Sequence, residues 1–202
     1  MSMSTNRRKR IGIYSGSFNP VHNGHISLAK YLLDSDIVDE VWIVVSPLNP
    51  LKTTSDELIV DEWRLQMAKI AFEGIRDTKV SDVEFCLPRP SYTIDTLNYL
   101  QKQYPDYHFF LLIGEDNMAV FDKWKDYKEI LRKYTVLVYP RHADTNSSDN
   151  MLRHTNIHKI DAPYIDISST DIRHHIRQHL PLTDVLPKSV IDFIISNKLY
   201  DN

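Results

Sequence analysis

The stretch "SGSFNPVHNGH", residues 15 to 25, sets His22 and His25 three positions apart, just after a glycine and a proline. On a helix that spacing puts both side chains on one face, with Cβ atoms about 5–6 Å apart. The stretch lies where a helix should begin, and a helix start already presents unpaired N–H groups and about half a positive charge. Imidazoles make poor core residues there. They suit a strongly anionic ligand such as a polyphosphate, on whose oxygens amide and imidazole N–H groups would converge. Gly16 lets the backbone come close to such a ligand, and Pro20 fixes the chain ahead of the helix. Gly24, in the first turn, costs on the order of 1 kcal/mol against alanine, which close approach of a ligand or a strand would offset.

A second candidate is "ISSTDIR", residues 167 to 173. Ser168 and Asp171 have the spacing of a capping box, which would start a helix at this point. Arg173, one turn in, adds a permanent cation suited to phosphate oxygens. Further along, His175 and His179 have the i, i+4 spacing of zinc ligands. No third ligand is evident and His174 faces elsewhere, so a solvated helix face is the simpler reading, and no protein metal site is expected.

Both candidates need a frame, and the segments around them alternate in character. "RIGIYS", "EVWIVVS", "HFFLLIG" and "YTVLVYP" are short apolar runs that read as buried strands, with "TKVSDVEFC" a weaker one and "IHKIDAP" an edge strand. "HISLAKYLLDS" has Ile26, Ala29, Leu32 and Leu33 at helical spacing. "LIVDEWRLQMAKIAF" and "TIDTLNYLQKQY" also read as helices, the second with Ile94, Leu97, Leu100 and Tyr104 on one side and Pro105 as its stop. Short helical regions are expected near Met118 and from Asp126 to Arg132. "RHADTNSSDN" reads as an exposed loop, and "SSTDIRHHIRQHL" and "SVIDFIISNKLY" as two closing helices. This β-α-β-α rhythm predicts an α/β fold: a Rossmann-like, doubly wound parallel sheet with helices on both faces and a small C-terminal helical subregion. In such sheets ligands bind beyond the carboxyl ends of the strands, which is where the first motif falls.

At 202 residues the chain suits one domain, residues 11–202, behind a flexible basic tail, 1–10, whose Arg7 to Arg10 read as a solvated charge run. A formal charge of −3 argues against a nucleic-acid or membrane binder. There is no run of about 18 apolar residues and no secretory pattern in "MSMSTNRRKR". Cys86 is the only cysteine, so neither a disulfide framework nor a cysteine metal site is available. A cytoplasmic enzyme or binding protein is the expectation.

"SGSFNPVHNGH" resembles the G-G-T-F-D-P-x-H-x-G-H signature of the nucleotidylyltransferase superfamily, with Ser15 in place of the first glycine and Asn19 in place of the usual aspartate. "ISSTDIR" resembles that superfamily's I-S-S-T-x-I-R element. The order of the two motifs and the roughly 140 residues between them match as well. The resemblance implies in-line attack of an acceptor phosphate on the α-phosphorus of ATP, with release of pyrophosphate. Positioning and charge would carry the reaction, without a covalent nucleophile. It assigns His22, His25 and Arg173 to catalysis. To ATP binding it assigns these three together with Gly16, Ser17, Phe18, Gly114, Asp116, Arg141, Ser168 and Ser169. Mg2+ would be held mainly through the ATP phosphates.

Three further stretches resemble one branch, the nicotinate-nucleotide adenylyltransferases: "SPLNPLK" (family P-x-x-P-P-H-K), "RPSYTIDTL" (P-S-Y-T-x-D-T-L) and "IGEDNMAVFDKW" (I-G-x-D, then K-W). Leu51 stands where that family often has histidine. For the acceptor, nicotinate mononucleotide, the likeness implies Asn19, Lys52, Tyr92, Thr93 and Trp124. Lys52 would lie at a phosphate, Trp124 against the pyridine ring, and Tyr92 and Thr93 near the carboxylate, which amide N–H groups can receive. Asp116 would meet a ribose hydroxyl and Arg141 would lie near the adenine. Alternatives are another adenylyltransferase, such as one for phosphopantetheine, and a regulator that binds ATP without turning it over. A dehydrogenase is disfavoured, because no G-x-G-x-x-G follows the first strand.

Overall fold

A computed structural model describes residues 7–47, 58–141, 149–164 and 166–201. Among the described residues six strands form one parallel sheet: β1 (Lys9–Gly16), β2 (Glu40–Val45), β3 (Thr78–Ser81), β4 (Tyr107–Gly114), β5 (Thr135–Tyr139) and β6 (Ile157–Lys159). Their order across the sheet is β3-β2-β1-β4-β5-β6, with β6 at the edge as expected. The long helices are α1 (Asn23–Asp34), α2 (Asp61–Phe72) and α3 (Thr93–Gln103). Shorter helices are α4 (Glu115–Met118), α5 (Tyr127–Lys133), α6 (Asp149–Leu152), α7 (Ser169–Arg177) and α8 (Lys188–Ser196). This is the doubly wound arrangement the sequence predicts.

The apolar runs serve two cores at once, because successive residues of a strand point to opposite faces. In β2, Val41, Ile43 and Val45 join Leu28 and Leu32 of α1, Met67 and Ala68 of α2, and Val190 and Ile194 of α8. Trp42 and Val44 turn the other way, onto Ile94, Leu97 and Leu100 of α3 and Ile130 of α5. Ile172 and Ile176 of α7 belong to the first core, so both closing helices pack on the sheet.

Four expectations change. Lys9 and Arg10 belong to β1 rather than to a tail, paired with Tyr107 and His108: Lys9 stays exposed, while Arg10 is partly buried and forms ion pairs with Asp36 and Asp39. The α2 helix starts at Asp61 rather than near Leu58, because Val60 is extended, with ψ 146°, and Asp61 and Glu62 then fall in the first turn, where the helix dipole favours them. β3 stops at Ser81, and Val83–Cys86 forms a 3-10 turn that draws Glu84 inside. The α7 helix ends at Arg177 and His179 adopts a left-handed backbone with φ 54°, so His175 and His179 do not share a helical face. No helix among the described residues is long and apolar enough to cross a membrane.

Candidate active site

β1 and β4 are neighbours in the sheet, and their carboxyl ends open into the crevice where the strand order reverses. The turn leaving β1 carries the first motif. Phe18 is buried with φ 46°, a left-handed conformation that costs a non-glycine residue about 1–3 kcal/mol. The turn is held from several sides. The Ser17 carbonyl accepts from Arg64 at 2.6 Å and the Asn19 carbonyl from Arg173 at 3.0 Å. The Pro20 carbonyl accepts from the Ser169 hydroxyl at 2.9 Å, and the Asn19 side-chain oxygen from the Tyr200 hydroxyl at 2.8 Å.

His22 is the N-cap of α1 and is 4% exposed. Its backbone N–H donates to Nδ1 of His25 at 3.0 Å, so a neutral His25 carries its proton on Nε2. The two rings stack with centroids 3.6 Å apart. Burial, and after it the charge of Arg141, lowers the His22 pKa to about 3. His22 is therefore uncharged at neutral pH. Two imidazoles at a helix start conflict with its positive end only if they are charged; a neutral ring adds an N–H donor without adding like charge. The Nδ1 atom of His22 is buried and has no hydrogen-bond partner.

The second motif docks directly on the first, through the Ser169–Pro20 and Arg173–Asn19 bonds. Ser168 is the N-cap of α7, as the spacing predicts, and accepts from the Asp171 N–H at 3.1 Å. The return arm of the capping box differs: the Ser168 hydroxyl donates to the Asp171 carboxylate.

Past β4, the N-cap of α4 is Gly114. A Cβ on Gly114 would lie 2.4 Å from Oδ1 of Asp116 and 3.2 Å from both Tyr139 Cζ and Arg141 Cδ, so only glycine lets these side chains close in. Asp116 Oδ2 and Arg141 Nε are 3.5 Å apart; burial pulls the Arg141 pKa down, but Asp116 and Tyr139 together hold it above its ordinary value. At the other end Lys125 Nζ sits 4.6 Å from the Tyr92 ring centroid and 2.9 Å from Asp95, bringing the Trp124 loop to the start of α3. Trp124 packs on Phe121, and its buried Nε1 has no hydrogen-bond partner. Of the residues the sequence assigned, Gly16, Ser17, Phe18, Asn19, His22, His25, Tyr92, Thr93, Gly114, Asp116, Trp124, Arg141, Ser168, Ser169 and Arg173 all line one cavity of about 570 Å³. Lys52, like Leu51, lies outside the described residues. The described residues hold no group of three His, Cys, Asp or Glu arranged for a metal.

The sequence matches the cytidylyltransferase-like family over residues 13–175. A Flavobacterium johnsoniae protein named "probable nicotinate-nucleotide adenylyltransferase" is 42% identical over 191 residues, covering 95% of this chain and 98% of that one. The chain belongs to the nicotinate-nucleotide adenylyltransferase family. A Bacteroides fragilis relative of the same name is 49% identical over 166 residues, 82% of this chain and 81% of its own. The solved Plasmodium falciparum nicotinic acid mononucleotide adenylyltransferase, complexed with NaAD, superposes with TM-score 0.78 at 20% identity over 96% of this chain and 98% of that one, a likeness of fold.

The departures from the family pattern have local explanations. The Ser15 hydroxyl lies 2.9 Å from the Ser46 hydroxyl and donates to Glu84 at 3.0 Å. Glu84 also receives Ser91 at 2.9 Å and Thr96 at 3.1 Å, so a buried carboxylate ties the ends of β1 and β2 to the start of α3. Asn19 keeps an acceptor oxygen for Tyr200. Sequence reading missed Glu84, Ser91, Tyr200 and Arg64. Arg64 could have been found: it occupies the buried register of α2 with Ala68 and Ala71, where an arginine is out of place.

Proposed function

We propose that this protein transfers AMP from ATP to nicotinate mononucleotide, giving nicotinate adenine dinucleotide and pyrophosphate. The reading rests on one observation: the first motif and the start of α7 are bonded to each other in the same cavity that holds Tyr92, Thr93 and Trp124. A triphosphate laid on the first two groups would have its α-phosphorus facing an acceptor held at the third. The acceptor's phosphate oxygen attacks in line; its bond to phosphorus forms as the bond to the departing pyrophosphate breaks. Imidazole N–H donors and the Arg173 cation then meet oxygens that gain charge as pyrophosphate leaves.

At the acceptor end, N–H groups favour a carboxylate over a carboxamide, so nicotinate mononucleotide is the expected acceptor rather than its nicotinamide counterpart. Magnesium fits as an ion carried by the triphosphate. The wall carboxylates are already engaged, Asp116 with Arg141 and Glu84 with three hydroxyls, which leaves phosphate oxygens and water as ligands. When bound it neutralises phosphate charge. ATP and a mononucleotide are cytoplasmic substrates, and the proposal places the protein there.

The test supplies ATP and magnesium with nicotinate mononucleotide, nicotinamide mononucleotide or phosphopantetheine, and measures pyrophosphate and the adenylylated product. Rapid product only with the nicotinate form is expected. Product only with phosphopantetheine, or ATP binding with no product at all, would overturn the reading.

A further inference from the structure

Arg64 lies on α2, outside the cavity lining, and its side chain is wholly buried. A guanidinium has five N–H donors, and all are used. Nε donates to the Ile59 carbonyl at 3.2 Å, and one terminal nitrogen to the carbonyls of Ser17 at 2.6 Å and Ser46 at 2.7 Å. The other terminal nitrogen donates to the Pro47 carbonyl at 3.1 Å and to the Asp61 carboxylate. The second oxygen of Asp61 accepts from Arg89 at 2.8 Å, in the segment that leads into Ser91 and Tyr92. β1 ends at Gly16 and β2 at Val45, so the bound carbonyls of Ser17, Ser46 and Pro47 lie just past the strand ends. Core filling would not call for this residue: burying a guanidinium costs several kcal/mol, which a methionine or leucine would avoid.

The consequence for chemistry runs through one peptide unit. In a trans peptide the carbonyl and the following N–H point in opposite directions. With the Ser17 carbonyl fixed on Arg64, the Phe18 N–H must face away from α2, and Ser17 and Phe18 line the cavity while Arg64 does not. We propose that Arg64 is a positioning residue for the transfer reaction: it orients the Ser17–Phe18 peptide so that the Phe18 amide donates to the triphosphate, and it locks that turn to the end of β2. This rests on the reaction proposed above. Lysine cannot replace it, since three donors on a point charge cannot span four carbonyls and a carboxylate.

Two measurements test it, with inorganic tripolyphosphate as the probe. On the full-length protein, adding tripolyphosphate should slow hydrogen exchange of the Phe18 amide at least about 10-fold; no change at that amide would overturn the proposal without any variant being made. In Arg64→Lys, folded material should bind tripolyphosphate more weakly, raise KM for ATP and lower kcat, with kcat/KM reduced by about 10- to 100-fold. A merely structural role would reduce the folded fraction and leave KM and tripolyphosphate affinity of the folded enzyme at wild-type values, and that result would also overturn it. Should the wild type bind tripolyphosphate through the Phe18 amide yet make no dinucleotide, the reaction fails and the peptide-orienting role of Arg64 stands.

Discussion

Burying His22 uncharged has a measurable thermodynamic consequence. The unfolded chain would bind a proton on this ring near pH 6.5, whereas the folded protein holds off until about pH 3. Between those values the unfolded state carries more protons, so stability falls as pH falls. Each unit is worth about 1.4 kcal/mol. At pH 5 the loss from this one group is therefore about 2 kcal/mol, and at pH 7.5 it is close to nil. Other groups contribute to the pH dependence too, so the comparison is between wild type and His22→Asn, in which position 22 cannot titrate and asparagine remains an acceptable N-cap. Urea unfolding of both proteins at pH 7.5 and pH 5 gives the difference directly. The wild type should lose about 2 kcal/mol more than the variant on acidification. Parallel losses would mean that the native ring titrates normally, and the argument for a neutral imidazole donor at the start of α1 would fail.

Replacing either His22 or His25 with alanine should lower turnover by about 10²–10³ while circular dichroism remains that of a folded protein. In Gly114→Ala the new Cβ, 2.4 Å from Asp116 Oδ1, must displace that carboxylate. KM for ATP should then rise while the melting temperature moves by only a few degrees, as the displaced group is the end of a half-exposed side chain. Tyr200→Phe removes the 2.8 Å hydrogen bond to Asn19, which should cost about 0.5–1.5 kcal/mol in a urea titration.

The frame was legible because it depends on local pattern. β1, β2, β4 and β5 are each built around a short, mainly apolar run, and Ile94, Leu97 and Leu100 repeat at helical spacing. The two motifs could be read because each concentrates its chemistry within a few residues. What escaped was polar and long-range. Glu84 sits in a stretch that resembles a strand, and only hydroxyls from Ser15, Ser91 and Thr96 show why it is drawn inward. The partners of Arg64 are mostly backbone carbonyls, which carry no residue-type signal. The left-handed turn at Phe18 is invisible for a related reason: glycine would mark such a site, and here tertiary bonds hold a phenylalanine there instead.

The bonds from Arg173 and Tyr200 to Asn19 join positions 154 and 181 residues apart. β1, β2 and β4 all lie within the first 114 residues, ahead of both Arg173 and Tyr200, and contacts over such separations form late and slowly. A refolding molecule would thus regain its secondary structure before it regains the ability to turn over substrate. Loss of the final turn around Tyr200 to a protease would remove one of the ties on Asn19 while leaving the sheet intact.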